Sequence, residues 1–129
     1  MPECLVIDTM LLIGHQNGEP EANEYLSGLG AKGLIAVHPV SVMEVLEGVH
    51  NLRHLAGTLR FLAAFRRVHV KNTDHDLGVQ IMVNHRLSHG IDWPDCLIAA
   101  TCIRLGLPLV TLNDKHFRVI RGLRVIRPY

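Results

Sequence analysis

The chain predicts an α/β fold, a mainly parallel sheet with helices covering both faces, and three observations point to it. Short unbroken runs of β-prone apolar residues recur, Leu5-Val6-Ile7 and Leu34-Ile35-Ala36-Val37 among them, as a strand buried on both faces requires. Between such runs lie segments whose apolar residues are spaced by three or four, so strands and helices alternate, the order that builds parallel sheets. A length of 129 residues suits one core and leaves no room for a second, so a single domain over residues 1–129 is expected.

The first run closes on Asp8, so the first strand delivers a carboxylate at its end. After the second run come Pro39 and Ser41-Val42-Met43-Glu44, where serine followed three residues later by glutamate is a helix-start signature. Leu55, Leu59, Leu62, Ala63 and Phe65 predict an amphipathic helix from about Leu52 to Phe65. Val68-His69-Val70 reads as a strand, and a further helix is expected from about Asp74 to Ser88, stopped by Gly90. Pro94 suits the first turn of the next helix, which carries Asp95, Leu97, Ile98, Ala99, Ala100, Cys102, Ile103 and Leu105 before Gly106 and is apolar enough to be buried. Leu107-Pro108-Leu109-Val110-Thr111 reads as a strand, Asn113-Asp114 opens a turn, and Leu123-Arg124-Val125-Ile126 forms a last short strand.

Composition narrows the function classes. With 48% hydrophobic residues and a mean hydropathy of +0.20, burial can offset chain entropy, which excludes a disordered chain. Apolar stretches are broken within about ten residues, short of the roughly 18 that span a bilayer, so no membrane helix is expected. The start carries Glu3 and lacks the basic segment and small-residue cleavage site of a secretory signal, so a cytoplasmic location is expected. Cys4, Cys96 and Cys102 form no CxxC pair and are read as buried small apolar residues. Lys115, Arg118, Arg121, Arg124 and Arg127 gather near the C-terminus, fit either to attract a polyanion such as nucleic acid or to keep an edge strand solvated.

The chemistry lies in the acids. Ligands of open α/β sheets gather beyond the carboxyl ends of the strands, and Asp8, Glu44, Asp95 and Asn113-Asp114 all fall near that rim. Packed carboxylates repel one another, and burying several is costly unless a cation neutralises them. Hard oxygen ligands favour Mg²⁺ or Mn²⁺, which can activate water for attack on a phosphodiester. Each acid also has a local reading: Ser41 with Glu44 forms a capping box, Asp92 with Asp95 has the same offset, and Asn113 or Asp114 can cap a short helix. Asp8, closing an apolar strand, is the hardest to assign to capping.

The set resembles the PIN-domain family, in particular the VapC-type toxins of VapBC toxin–antitoxin pairs. The resemblance is carried by Val6-Ile7-Asp8-Thr9, Ser41-Val42-Met43-Glu44, Asp95-Cys96-Leu97-Ile98-Ala99-Ala100-Thr101 and Val110-Thr111-Leu112-Asn113-Asp114-Lys115-His116-Phe117. It implies a three-layer α/β/α sandwich, endonucleolytic cleavage of RNA, a homodimer, and a cognate antitoxin that occludes the acidic site. It also implies that Asp8, Glu44 and Asp95 hold Mg²⁺ or Mn²⁺ and that the fourth position falls at Asn113 or Asp114. Asp92 is an additional candidate, and Thr9, Ser41 and Thr111 are candidates for orienting carboxylates or binding water. The chain departs from the family at Met10, where a small polar residue is frequent.

Other readings remain beside this one. His85 and His89 share a helical face, but no Glu follows His85, so the zinc-protease pattern is absent. His116 lies beside the proposed site and is read as a packed or surface residue, and Phe117 as core. Gly28, Gly30 and Gly33 do not form a phosphate-binding fingerprint. Two alternatives to a nuclease are a catalytically inert PIN-like scaffold, which Asn113 would suit, and a phospho-accepting receiver domain, which adjacent acids after the first strand would favour and Thr9-Met10 do not.

Overall fold

The structure, a computed structural model, describes residues 3–129. Its centre is a five-stranded sheet, parallel at every pairing, in the order β3-β2-β1-β4-β5. The strands are β1 (Leu5–Ile7), β2 (Ile35–Val37), β3 (Arg66–Arg67), β4 (Leu109–Val110) and β5 (Val125–Ile126). The helices are α1 (Thr9–Gln16), α2 (Pro20–Ala31), α3 (Pro39–Glu47), α4 (Leu52–Ala63), α5 (Asn72–His89), α6 (Trp93–Leu105) and α7 (Asp114–Phe117).

Side-chain alternation along the strands divides the core in two. Val6, Ala36 and Leu109 are register partners and pack on one face with Ile81 of α5, Ile98 and Ala99 of α6, and Phe117 of α7. Ile7, Ile35, Val37 and Val110 turn to the other face, against Leu11 of α1, Leu26 of α2, Val45 of α3 and Leu62 of α4. Three layers, α/β/α, result, and the unbroken apolar runs follow from both strand faces being covered.

The helix on which Asp95 sits is held close. Ala99 and Ala100 are fully buried in α6, and the hydrogens of Gly78 in α5 face the α6 backbone, since a Cβ there would lie 3.7 Å from Cys96 O and Leu97 Cα. Gly90 and Gly106 end α5 and α6 with φ of 66° and 67°, conformations in which a side chain is strained.

A buried polar network ties α3, α5 and α6 together. His38, wholly buried, accepts the Val40 N–H at Nδ1 (3.0 Å), so its proton is on Nε2, which faces Thr101 Oγ1 at 3.0 Å. Thr101 Oγ1 donates to Asp74 Oδ2 (3.0 Å), and Asp74 also accepts from Arg104 Nε (2.6 Å) and the Lys71 N–H (3.0 Å). Burial works against the charge on Asp74, but the bonds from Arg104, Lys71 and Thr101 prevail and hold its carboxyl below the usual range. Burial pushes His38 down to about 4, so it stays neutral.

Three expectations are corrected. The edge strand is Arg66–Arg67 and not Val68-His69-Val70, because pairing with Ala36 and Val37 uses backbone alone and leaves the outer side chains in solvent. Val68 marks burial just past the strand. Ser41 does not cap α3, which starts at Pro39 behind His38, so Ser41 falls inside the helix with its hydroxyl buried against Thr9. Asp92 occupies the N-cap position of α6 without a capping bond, its carboxylate being held by Arg86 at 2.7 Å. Cys96 and Cys102 are buried and Cys4 partly so, as expected.

Candidate active site

Strand order creates the crevice. β2 and β3 lie to one side of β1, and β4 and β5 to the other, so the direction of winding reverses between β1 and β4. Asp8 follows β1 directly, and Thr111 follows β4. Glu44 comes from α3, after β2, and Asp95 from the first turn of α6. At this reversal lies a cavity of about 320 Å³ lined by Asp8, Thr9, Met10, Glu44, Asp95, Leu112 and Asn113.

Hydroxyls fix two of the carboxylates. Thr111 Oγ1 donates to Asp8 Oδ2 (2.7 Å) and itself accepts the Asn113 N–H (3.0 Å), while Asp8 Oδ1 accepts the Thr9 N–H (2.9 Å). Asp8 therefore starts α1 and faces the cavity at once. Thr9 Oγ1 lies 2.8 Å from Glu44 Oε1 and 2.9 Å from Ser41 Oγ. One hydroxyl carries one proton, so with Glu44 ionised Thr9 donates to it and receives the Ser41 proton.

The cavity is electrostatically unbalanced. Burial, reinforced by the charges of Asp8, Glu44 and Asp92, pushes Asp95 up to about 7. Burial also raises Asp8, against the opposing bonds from Thr111 and Thr9 and the field of His116. His116 Nε2 stands 3.7 Å from Asp95 Oδ2, so this histidine borders the site. Among the described residues, no three His, Cys, Asp or Glu side chains are grouped closely enough, as they stand, to hold a metal ion between them. The acid oxygens face a shared space in which waters and substrate oxygens can complete a coordination sphere.

Asn113 and Asp114 diverge. Asn113 lines the cavity. Both carboxylate oxygens of Asp114 are held elsewhere, Oδ1 by Arg127 Nη1 (2.8 Å) and Oδ2 by Arg118 Nε (3.1 Å), which lowers its pKa. Arg127 also donates to Leu112 O (2.9 Å), so it braces the loop after β4. With Arg124 paired to Glu3, three of the five C-terminal bases are engaged by acids. Asp92 lies exposed on its Arg86 ion pair, outside the lining. Sequence reasoning missed Leu112 as part of the lining and left Met10 without a role. Their positions next to Thr9 and Asn113 were the available signal.

A family model for the PIN domain matches residues 5–123. The chain thus belongs to the PIN-domain family, and the receiver-type alternative is set aside. Within that family it stands among the VapC proteins: it is 35% identical over 121 residues to Ribonuclease VapC19 of Mycobacterium tuberculosis, a match covering 92% of this chain and 96% of that protein. The toxin–antitoxin complex from Klebsiella pneumoniae has a similar chain, with a TM-score of 0.78 at 27% identity, covering 97% of this chain and 98% of that one. DNA-bound VapBC from Salmonella typhimurium shares the fold, with a TM-score of 0.81 at 21% identity over 99% of this chain and 100% of that one.

Proposed function

We propose that this chain is an endoribonuclease, the toxin of a type II toxin–antitoxin pair, which hydrolyses RNA phosphodiesters with a carboxylate-bound Mg²⁺ or Mn²⁺. The observation that carries the proposal is the convergence of Asp8, Glu44 and Asp95 on one cavity at the winding reversal. The relatives named ribonuclease support the reaction class, and the toxin–antitoxin complex of similar fold supports an antitoxin partner.

The donor set fits such a cation. It consists of hard oxygens, without cysteine or histidine in the lining, and burial, reinforced by the neighbouring acids, raises Asp95, a cost that a bound cation would relieve. Asp8, Glu44 and Asp95 would hold the ion. When bound, it supplies charge neutralisation and an activated water for attack on phosphorus. Thr111 and the Thr9–Ser41 pair keep Asp8 and Glu44 aimed at the cavity. Asn113 completes the lining with a neutral amide, and Asp114, clasped by Arg118 and Arg127, holds the loop in place. No helix among the described residues is long and apolar enough to cross a membrane, which fits a toxin acting on cellular RNA in the cytoplasm. A homodimer would draw on α5, where Val79, Val83 and Leu87 are exposed at helical spacing.

Purified antitoxin-free protein incubated with total cellular RNA tests the reading. Discrete fragments with Mg²⁺ or Mn²⁺ are expected, suppressed by EDTA and reduced at least about 100-fold in Asp95→Asn, the scale seen when a principal stabilising group is removed from an active site. Folded wild-type protein that binds RNA yet never cuts it under any metal condition would instead favour an inert scaffold.

A further inference from the structure

The cavity lining falls into two chemical halves. Asp8, Glu44 and Asp95 make an acidic floor, whereas Met10, Leu112 and Asn113 make a neutral rim. Met10 is 67% exposed in the first turn of α1, and Leu112 is 36% exposed in the loop after β4. The Asn113 side chain caps nothing in α7, so its amide is free to present both a donor and an acceptor. Neither apolar side chain belongs to either core cluster. Their exposure therefore has no packing explanation, and a large apolar side chain left in water forgoes the stabilisation that burial would give.

We propose that Met10 and Leu112 form a subsite for the face of one unpaired nucleobase adjacent to the cleaved phosphodiester, with Asn113 meeting that base's polar edge. The inference rests on the nuclease reading and deepens it. An acidic floor repels a phosphodiester except through its cation, so an uncharged part of the substrate can add binding beside the floor without that repulsion. The base is that part. Its π-face packs on apolar and thioether surface, and its edge hydrogen bonds to amides. Such a contact tolerates several bases, because every base has a π-face. In this reading Met10 and Leu112 touch substrate and leave the metal site untouched.

The test couples protein and substrate changes. A short single-stranded RNA containing a cut site mapped in total RNA is synthesised intact and with one abasic nucleotide at each position flanking the cut. Met10→Ser and Leu112→Ser are assayed beside wild type, and Mn²⁺ affinity is measured on all three by calorimetry. The expected result is a loss of about five- to tenfold in kcat/KM for wild type at one abasic position, the same loss in either variant on intact RNA, and no further loss when both changes are combined. Mn²⁺ affinity is expected to be unchanged. If wild type cleaves but abasic losses and variant losses simply multiply, the subsite is overturned while the nuclease reading stands. Variants that cleave every substrate as wild type does also overturn it. A variant that loses Mn²⁺ affinity places the rim in the metal site, again against the proposal. Absence of any metal-dependent cut by wild type removes the nuclease reading itself, and the subsite with it.

Discussion

At the scale of single residues, Asp95 is the group whose behaviour says most about the site. Burial, with the neighbouring acids, pushes its pKa up to about 7 in the folded chain, against 3.8 for a freely solvated aspartate. Between these values the folded state binds a proton that the unfolded state releases, so the contribution of Asp95 to metal-free stability is greatest at low pH and is lost as pH rises toward 7. A cation competes with that proton for the same oxygens. Mn²⁺ affinity measured by calorimetry should therefore rise from about pH 5.5 to about pH 7.5 and flatten above, and Asp95→Asn should remove most of that dependence. A flat profile in the wild type would contradict a proton on Asp95 that competes with the cation. Asp114 illustrates the limit of residue-level reading. Its side chain was as plausible a ligand as its neighbour's from spacing, and Arg118 together with Arg127, contributed by the segment after β5, turns it away.

At the scale of elements, the site depends on the distance between α3 and α6, because these helices carry Glu44 and Asp95. The His38–Thr101–Asp74 chain joins them through the interior, with no water-facing member except the partly exposed Arg104. Thr101→Val would leave His38 Nε2 without its partner and Asp74 short of one bond. A loss of about 1–3 kcal/mol is expected in denaturant unfolding, together with weakened Mn²⁺ binding as the helices shift. An unchanged unfolding midpoint would show that the network is dispensable. Elements also show what local pattern can and cannot convey. α5 and α6 were legible because glycine ends both and because Pro94 opens α6 ahead of an apolar run, whereas the Ser41–Glu44 pair satisfies a local capping rule that tertiary structure overrides: Ser41 bonds to Thr9, which only folding brings near. β3 escaped for a related reason, since edge pairing through backbone leaves no apolar signature in Arg66–Arg67.

At the scale of the whole molecule, the parallel sheet and its two covering layers follow from runs of three or four apolar residues separated by helical segments, and the winding reversal follows from strand order. Asp8 was readable as a site residue because it terminates a buried strand. The convergence of Glu44 and Asp95 upon it is a property of topology, and spacing alone suggested it only as a set. The rim of Met10 and Leu112 was invisible as a unit, one member lying in the first turn of α1 and the other in the loop after β4, far apart in the sequence. At every scale the winding reversal serves the proposed divalent-cation site, to which three carboxylates contribute. Crystals of the wild-type protein grown with Mn²⁺ and measured for anomalous scattering test that proposal most directly. The account predicts a peak within the cavity at about 2.2 Å from oxygens of Asp8 and at least one of Glu44 and Asp95, the remaining positions filled by water. A saturating Mn²⁺ titration in solution accompanied by a peak elsewhere, for instance on the His85–His89 face, would contradict it.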